Sequence, residues 1–262
     1  MPLMHDDSLL RVEGLSKRFG GVEAVAGVSF HVGRGEIFSL IGPNGAGKTT
    51  TFNMISGVVA ASAGSVHFDG KDITGIAMHR MPALGIGRTF QNLAVFKHAT
   101  VVQNLLVGRH CHMRTNVFDA AWFFGRARRE ELEHRRKVEE LIDFLEIEEI
   151  RDMPVGALSY GMQKRVELGR ALATEPKLLL LDEMVSGMNT EETEDIARFV
   201  LDIRDELGVT VLMVEHDMGI VMDISDRVCV LNFGRKIAEG GPTEVSADPA
   251  VIEAYLGGAR AA

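Results

Sequence analysis

GPNGAGKTT, residues 42–50, follows the apolar run EIFSLI at residues 36–41. The two stretches together read as a buried strand, a glycine-rich loop and the start of a helix. Gly42 to Thr49 fits G-x-x-x-x-G-K-[ST] in full. In such a loop consecutive backbone N–H groups curl around phosphates, and the helix start adds a positive field. Gly42, Pro43, Asn44, Gly45, Ala46, Gly47, Lys48, Thr49 and Thr50 are therefore the candidate phosphate-binding residues. Lys48 would reach the β- and γ-phosphates, and the Thr49 hydroxyl would ligate Mg²⁺. Lys48 to Ile55 reads as the helix, with Gly57 as its stop.

LLLLDE, residues 178–183, supplies the partner such a loop needs. A buried strand ends in Asp182, placed to hold Mg²⁺ directly or through its water. Glu183 follows at once, where a carboxylate can polarise an attacking water. A second helix start, LSYGMQKRVE at residues 158–167, raises a puzzle. Ser159 suits an N-cap, with its hydroxyl and the Gly161 backbone facing outward. Met162, Val166, Gly169 and Leu172/Ala173 would form the buried stripe behind it. An ordinary capped helix accounts for this as well. Yet one site cannot easily use both helix starts, whereas two copies arranged head to tail can. Each copy's Ser159 would then close on the other's γ-phosphate across a two-fold axis.

Around these motifs the pattern is that of an α/β chain. Leu9 to Gly14, Val25 to Val32 and Ser65 to Phe68 read as strands, the last running into an Asp69-Gly70 turn. From roughly residue 92 to 175 strand signals fade and helix signals take over. Val138, Leu141, Ile142 and Leu145 share one helix face, and the adjoining ARREELEHRRKVEE reads as a solvated surface. After residue 176 strands return: Lys177 to Leu181, Val209 to Val214 and Arg227 to Phe233. Ile196, Phe199, Val200, Ile203 and Leu207 mark an amphipathic helix between them. The expected fold is a mostly parallel sheet covered on both faces. A helical lobe is inserted into it, and an antiparallel part lies near the N-terminus. Residues 1–262 are read as one domain.

Bulk composition narrows the function. The 262 residues carry 28 Lys and Arg against 37 Asp and Glu, a net charge of −9. That balance argues against a general nucleic-acid or anionic-membrane binder. Cys111 and Cys229 lie far apart and read as free thiols. No run of 18 apolar residues is present, so no segment is expected to span a membrane. MPLMHDDSLL lacks the basic-then-apolar order of a signal peptide, and a cytoplasmic location is expected. His110, Cys111 and His112 are adjacent and point different ways on any regular element, which makes a poor metal site. Val117 to Phe124 reads as packing within the helical lobe, with an apolar dock for a membrane subunit as the alternative.

Taken in order, GPNGAGKTT, LSYGMQKRVELGRALATEP, LLLLDE and VEHD resemble the ATP-binding cassette of ABC transporters, a P-loop NTPase fold. GIGRTFQNLAVF, ISDRV and the AYLG near the end resemble the ATPase subunits of branched-chain amino acid importers. The resemblance implies ATP and Mg²⁺ as ligands. It implies that Phe19 stacks on adenine and that Gln91 senses Mg²⁺ and water. It makes His216 the switch histidine that contacts the γ-phosphate. Ser186, Gly187, Met188 and Asn189 match the loop that crosses the dimer interface. Ser159, Tyr160, Gly161, Met162 and Gln163 match the signature that closes the partner's site. Tyr160 replaces a glycine common in the family, and Phe19 replaces the commoner tyrosine. Met184 stands where proline is usual, which leaves the path of residues 184–189 open.

The expected activity is ATP hydrolysis that powers import of a small solute, branched-chain amino acids or a related polar or aromatic compound. Expected partners are a second ATPase subunit, identical or related, and integral-membrane permease subunits, with a solute-binding protein engaged indirectly. That places the chain on the cytoplasmic face of the membrane. Two alternatives use the same motifs: a soluble ATPase acting on nucleic acid or ribosomes, and a non-catalytic nucleotide-binding regulator.

Overall fold

Two long strands open the chain in the computed structural model, which describes residues 8–90, 93–113 and 126–257. They are β1 (Ser8–Phe19) and β2 (Val22–Gly33), and they pair antiparallel. With β4 (Ala63–Phe68) and β5 (Lys71–Asp72) they form a sheet in the order β2-β1-β4-β5. Leu10, Val12 and Leu15 are buried, as are Val28, Phe30 and Val32. Both strands run further than the apolar alternation suggests. Their outer ends, Lys17↔Val25 to Phe19↔Val22, are paired through the backbone while most of their side chains stay exposed. The β4–β5 turn is Asp69-Gly70, with φ of 50° and 75°, the positive values a tight hairpin requires.

Contacts divide the chain into two compact units, one running to Met81 and resuming at Leu178, the other Pro82–Lys177. The first unit also holds β3 (Ile37–Ile41), β7 (Leu178–Asp182), β8 (Thr210–Val214), β9 (Arg227–Asn232) and β10 (Arg235–Gly240). These run in the order β10-β9-β3-β8-β7. The β9-β3, β3-β8 and β8-β7 pairs are parallel, and β10 is an antiparallel edge. Every residue of β3, β7 and β8 is buried. That is the signature of a parallel sheet packed on both faces, and the near-continuous apolar runs are its cause. Phe30 of the antiparallel sheet stacks on Phe38 of β3 with centroids 5.1 Å apart.

Register decides what this sheet presents. Leu40 of β3 and Asp182 of β7 both pair with Val214 of β8, and Ile41 pairs with Val230 of β9. The carboxyl ends of three strands therefore fall on one line. Helix α1 (Lys48–Ile55) leaves the loop after β3, and Gly57 follows its cap at φ 72°. Helix α6 (Thr190–Asp205) buries Ile196, Phe199, Val200 and Ile203. Leu207, expected on the same stripe, falls beyond the helix end and is 44% exposed.

The second unit holds the short strand β6 (Ile86–Arg88) and helices α3 (Val101–Gly108), α4 (Arg126–Phe144) and α5 (Tyr160–Leu172). A capping box at Thr100 and Gln103 starts α3. Val138 and Ile142 of α4 are buried, as is Leu145 just past its end, and Leu141 is half-buried. The charged face of α4 is less solvated than its sequence implies. His134 is buried, and its Nδ1 accepts from Arg109 Nε at 3.3 Å. Burial, then the Arg109 charge, holds the His134 pKa below its ordinary value. Residues 117–124 lie outside the described residues.

Helix α5 departs from the apolar-stripe reading. Lys164 and Glu167 are fully buried and stand 3.5 Å apart. Lys164 donates to Phe90 O at 3.3 Å, and a Glu167 oxygen accepts from the N–H groups of Phe90 (3.2 Å) and Ala94 (3.3 Å). Removing one member of a buried pair strands the other charge, at a cost of about 3–5 kcal/mol. Glu167→Ala is expected to lose stability on that scale in urea unfolding. The double change Lys164→Met with Glu167→Leu should recover part of the loss.

Candidate functional site

The loop after β3 is closed by backbone passing backbone. Gly42 sits at φ 147° and Gly47 at φ 97°. A Cβ on Gly42 would land on the carbonyl oxygen of Leu231, and one on Gly47 would lie 2.6 Å from that of Ala24. Only glycine leaves this space to the main chain. The loop is tied down on one side, since Gly234 N donates to Ala46 O at 3.0 Å and Ala26 N to Gly234 O at 2.8 Å. Ala46 is buried, whereas Asn44, Gly45 and Thr49 are exposed and Pro43 and Thr50 half-buried.

Lys48 is only 5% exposed, and its ammonium donates to Gly42 O at 2.6 Å and Pro43 O at 3.0 Å. Those bonds use two of its three N–H groups and aim the charge over the loop. Burial lowers its pKa, and the Glu183 carboxylate acts in the opposite direction. That coupling places Lys48 and Glu183 in one electrostatic neighbourhood.

Asp182 ends β7, buried at 2% exposure. Glu183 N–H donates to Val214 O at 2.9 Å, the last main-chain link between β7 and β8. Glu183 then turns into the left-handed region at φ 49°, a conformation costing a non-glycine residue about 1–3 kcal/mol. This turn directs its side chain to His216, just past the end of β8, where His216 Nε2 and Glu183 Oε1 are 2.6 Å apart. Phe19, at the tip of β1, is half exposed, with the Lys17 ammonium 5.0 Å from its ring centre. A glycine-rich loop exposed at Asn44, Gly45 and Thr49, a buried cation and two strand-end carboxylates suit a polyphosphate and a hard divalent cation.

The second helix start belongs to the other unit. Ser159 N-caps α5, its Oγ accepting from Met162 N at 3.3 Å. Ser159 and Tyr160 are exposed, Met162 and Gln163 are half-buried and Gly161 is buried. The Gln163 amide donates to Leu158 O at 2.9 Å. Met162, expected in the core stripe, reaches it only in part. Gln91 lies outside the described residues.

Two neighbours of the site lie inside VEHD and AYLG, but the sequence assigns neither of them a role. Glu215, between Val214 and His216, is 4% exposed, and burial pushes its carboxyl up to about 7. The N–H groups of Val185, Met184 and His216 pull in the other direction by hydrogen-bonding to it. Tyr255, on α9 (Pro249–Gly257), accepts a hydrogen bond from the Gly42 backbone; burial dominates and raises its pKa. The AYLG stretch marked a family in the sequence, but nothing in it pointed back to the phosphate loop.

Residues 25–186 match the ABC transporter family model, and residues 235–261 match that of the branched-chain amino acid ATP-binding cassette transporter. The chain belongs to the ABC transporter ATP-binding family. It is similar to the high-affinity branched-chain amino acid transport ATP-binding protein BraF of Pseudomonas aeruginosa, with 41% identity over 95% of this chain and 98% of that one. LivG of Salmonella typhimurium, another such ATP-binding protein, is 40% identical over 95% of this chain and 98% of its own length. Among solved structures, the ADP conformation of MJ1267, an ATP-binding cassette of an ABC transporter, superposes with a TM-score of 0.83. It is 36% identical and covers 95% of this chain and 99% of that one. This ABC cassette is an ATP-binding, ATP-hydrolysing subunit of the importer type. The matches give no support to the reading as an ATPase for nucleic acid or ribosomes. Among the described residues no helix is long and apolar enough to cross a membrane.

The cradle geometry sets one expectation for the cassette. Gly47→Ala forces a Cβ against Ala24 O from a backbone that L-residues rarely adopt. ATP affinity, measured by equilibrium binding, should fall at least about tenfold, the equivalent of 1.4 kcal/mol.

Proposed function

We propose that this cassette powers import of branched-chain amino acids, or a related polar or aromatic solute, through partner permease subunits. The names of its relatives support that cargo class. We read the 262 residues as one nucleotide-binding domain, with the helical lobe at roughly residues 92–175. No helix among the described residues spans a membrane. Attachment to the cytoplasmic face therefore falls to the permeases, which also set cargo specificity.

The observation that carries the catalytic reading is the 2.6 Å contact of His216 with Glu183, beside the buried Lys48. In this reading ATP lies along Gly42–Thr50, with adenine on the exposed face of Phe19. Lys48 gives its remaining N–H to the terminal phosphates. Thr49, Asp182 and Gln91 are the oxygen donors that would hold Mg²⁺, which when bound neutralises charge on the phosphate oxygens. Glu183 accepts a hydrogen bond from the attacking water and draws its proton as the new bond to the γ-phosphorus forms, while the bond from that phosphorus to the β,γ-bridging oxygen breaks and ADP leaves with the electron pair. His216 holds Glu183 in place and contacts the γ-phosphate. Its exposure, 44% against 11% for Glu183, keeps the imidazole accessible from outside.

The exposed Ser159, with Tyr160, Gly161, Met162 and Gln163, serves a second cassette. Each subunit's signature closes on the other's γ-phosphate, which gives ATP a higher affinity for the closed pair than for the open one. That difference is what shifts the permeases between access states. The second cassette is a related subunit in this reading, and a solute-binding protein acts on the far side.

Glu183→Gln keeps the shape and removes the base. Its steady-state ATP hydrolysis should drop at least about a hundredfold, with ATP binding retained. Hydrolysis at the wild-type rate would remove Glu183 from the mechanism.

A further inference from the structure

The parallel ladder of β7 and β8 ends at Asp182↔Val214 and the Glu183 N–H to Val214 O bond. Beyond it the two strands continue as loops, 183–189 and 215–217, which carry Glu183 and His216. The next N–H groups, on Met184, Val185 and His216, have no strand to accept them. Met184 and Val185 are themselves buried, at 2% and 7% exposure. Buried N–H groups without acceptors cost about 1–3 kcal/mol each. The Glu215 carboxyl takes all three, with Val185 N to Oε1 at 3.3 Å. Glu215 is itself 4% exposed and lines a small, largely apolar cavity with Leu181, Met184, Val185, Met213 and Ile220.

We infer that Glu215 is a positioning residue for hydrolysis: its carboxyl replaces the missing ladder and clamps the chain after Glu183 to the backbone of His216. One buried side chain thereby grips both halves of the Glu183–His216 pair at their main chains, while their side chains meet at 2.6 Å. The clamp draws on the N–H of Met184, a donor that a proline at this position would lack. A neutral apolar residue at 215 would fill the volume but leave three donors facing an apolar wall. The cost of burying a carboxyl is thus tied to a geometric task. The inference rests on the proposed roles of Glu183 and His216.

The test uses Glu215→Gln and Glu215→Ala in the full chain, assembled with its partner cassette and permease subunits, with two readouts. In steady-state hydrolysis kcat should fall about tenfold or more for Ala and less for Gln, which keeps one acceptor oxygen. KM for ATP should stay within about threefold, because a misplaced reactive pair affects the chemical step rather than the phosphate loop. In hydrogen–deuterium exchange, protection should fall at least about tenfold in peptides covering 183–189 and 215–217, and not across the molecule. If Ala does not fold, Gln carries both readouts. Wild-type kcat in a folded variant overturns the inference, as does unchanged exchange in those two segments. So does an equal loss of protection throughout, which marks Glu215 as a general core residue. The Glu183→Gln variant separates the two levels. Wild-type turnover there would sink the catalytic reading of Glu183, while local exchange in the Glu215 variants would still report the clamp.

Discussion

The parallel pairing of β3 between β9 and β8 is the constraint on which the first unit depends. It brings backbone up against backbone at Gly42 and Leu231, and it aligns Leu40, Val214 and Asp182 on one line. A ligand crevice outside the carboxyl ends of parallel strands is the general consequence of such a sheet. Here it puts the phosphate loop, the buried Asp182 and the Glu183–His216 contact on the same edge. A one-residue slip of β8 against β3 or β7 would turn its side chains to the opposite face and move His216 out of reach.

That edge is held by polar groups in an apolar setting. Lys48, Asp182 and Glu215 are all buried within a few residues of strands whose every side chain is enclosed. Two of them are tied to main-chain geometry: Lys48 to two loop carbonyls and Glu215 to N–H groups beyond the ladder. In the second unit Lys164 and Glu167 bond the backbone of Phe90 and Ala94 in the same way. In both units, buried charges serve as acceptors and donors for stretches of chain that secondary structure leaves unpaired. This is the circumstance in which burying a charge costs least.

The elements legible in the sequence are those whose cause is local. Five enclosed residues in a strand show as an apolar run, a cap shows as Ser159 before a helix, and a tight hairpin shows as Asp69-Gly70. The misreadings of burial share one cause, the equation of apolar with buried. Leu207 is apolar and exposed because the helix has already ended, whereas Lys164, Glu167 and His134 are charged or polar and buried because a partner waits for each. The ends of β1 and β2 were missed because main-chain pairing there needs no side-chain pattern.

Residue order alone settled the kind of fold and the phosphate-binding chemistry. Strand periodicity, glycine spacing and the Lys48-Thr49 pair act within a few residues of one another, so their physics is written along the chain. Residue order could not say that the turn at Glu183 is left-handed, that Glu215 reaches back to Met184 and Val185, or that Tyr255 meets Gly42. Those depend on which strand ends become neighbours. Neighbours some 30 or 200 positions apart are chosen by sheet register and core packing, not by local sequence.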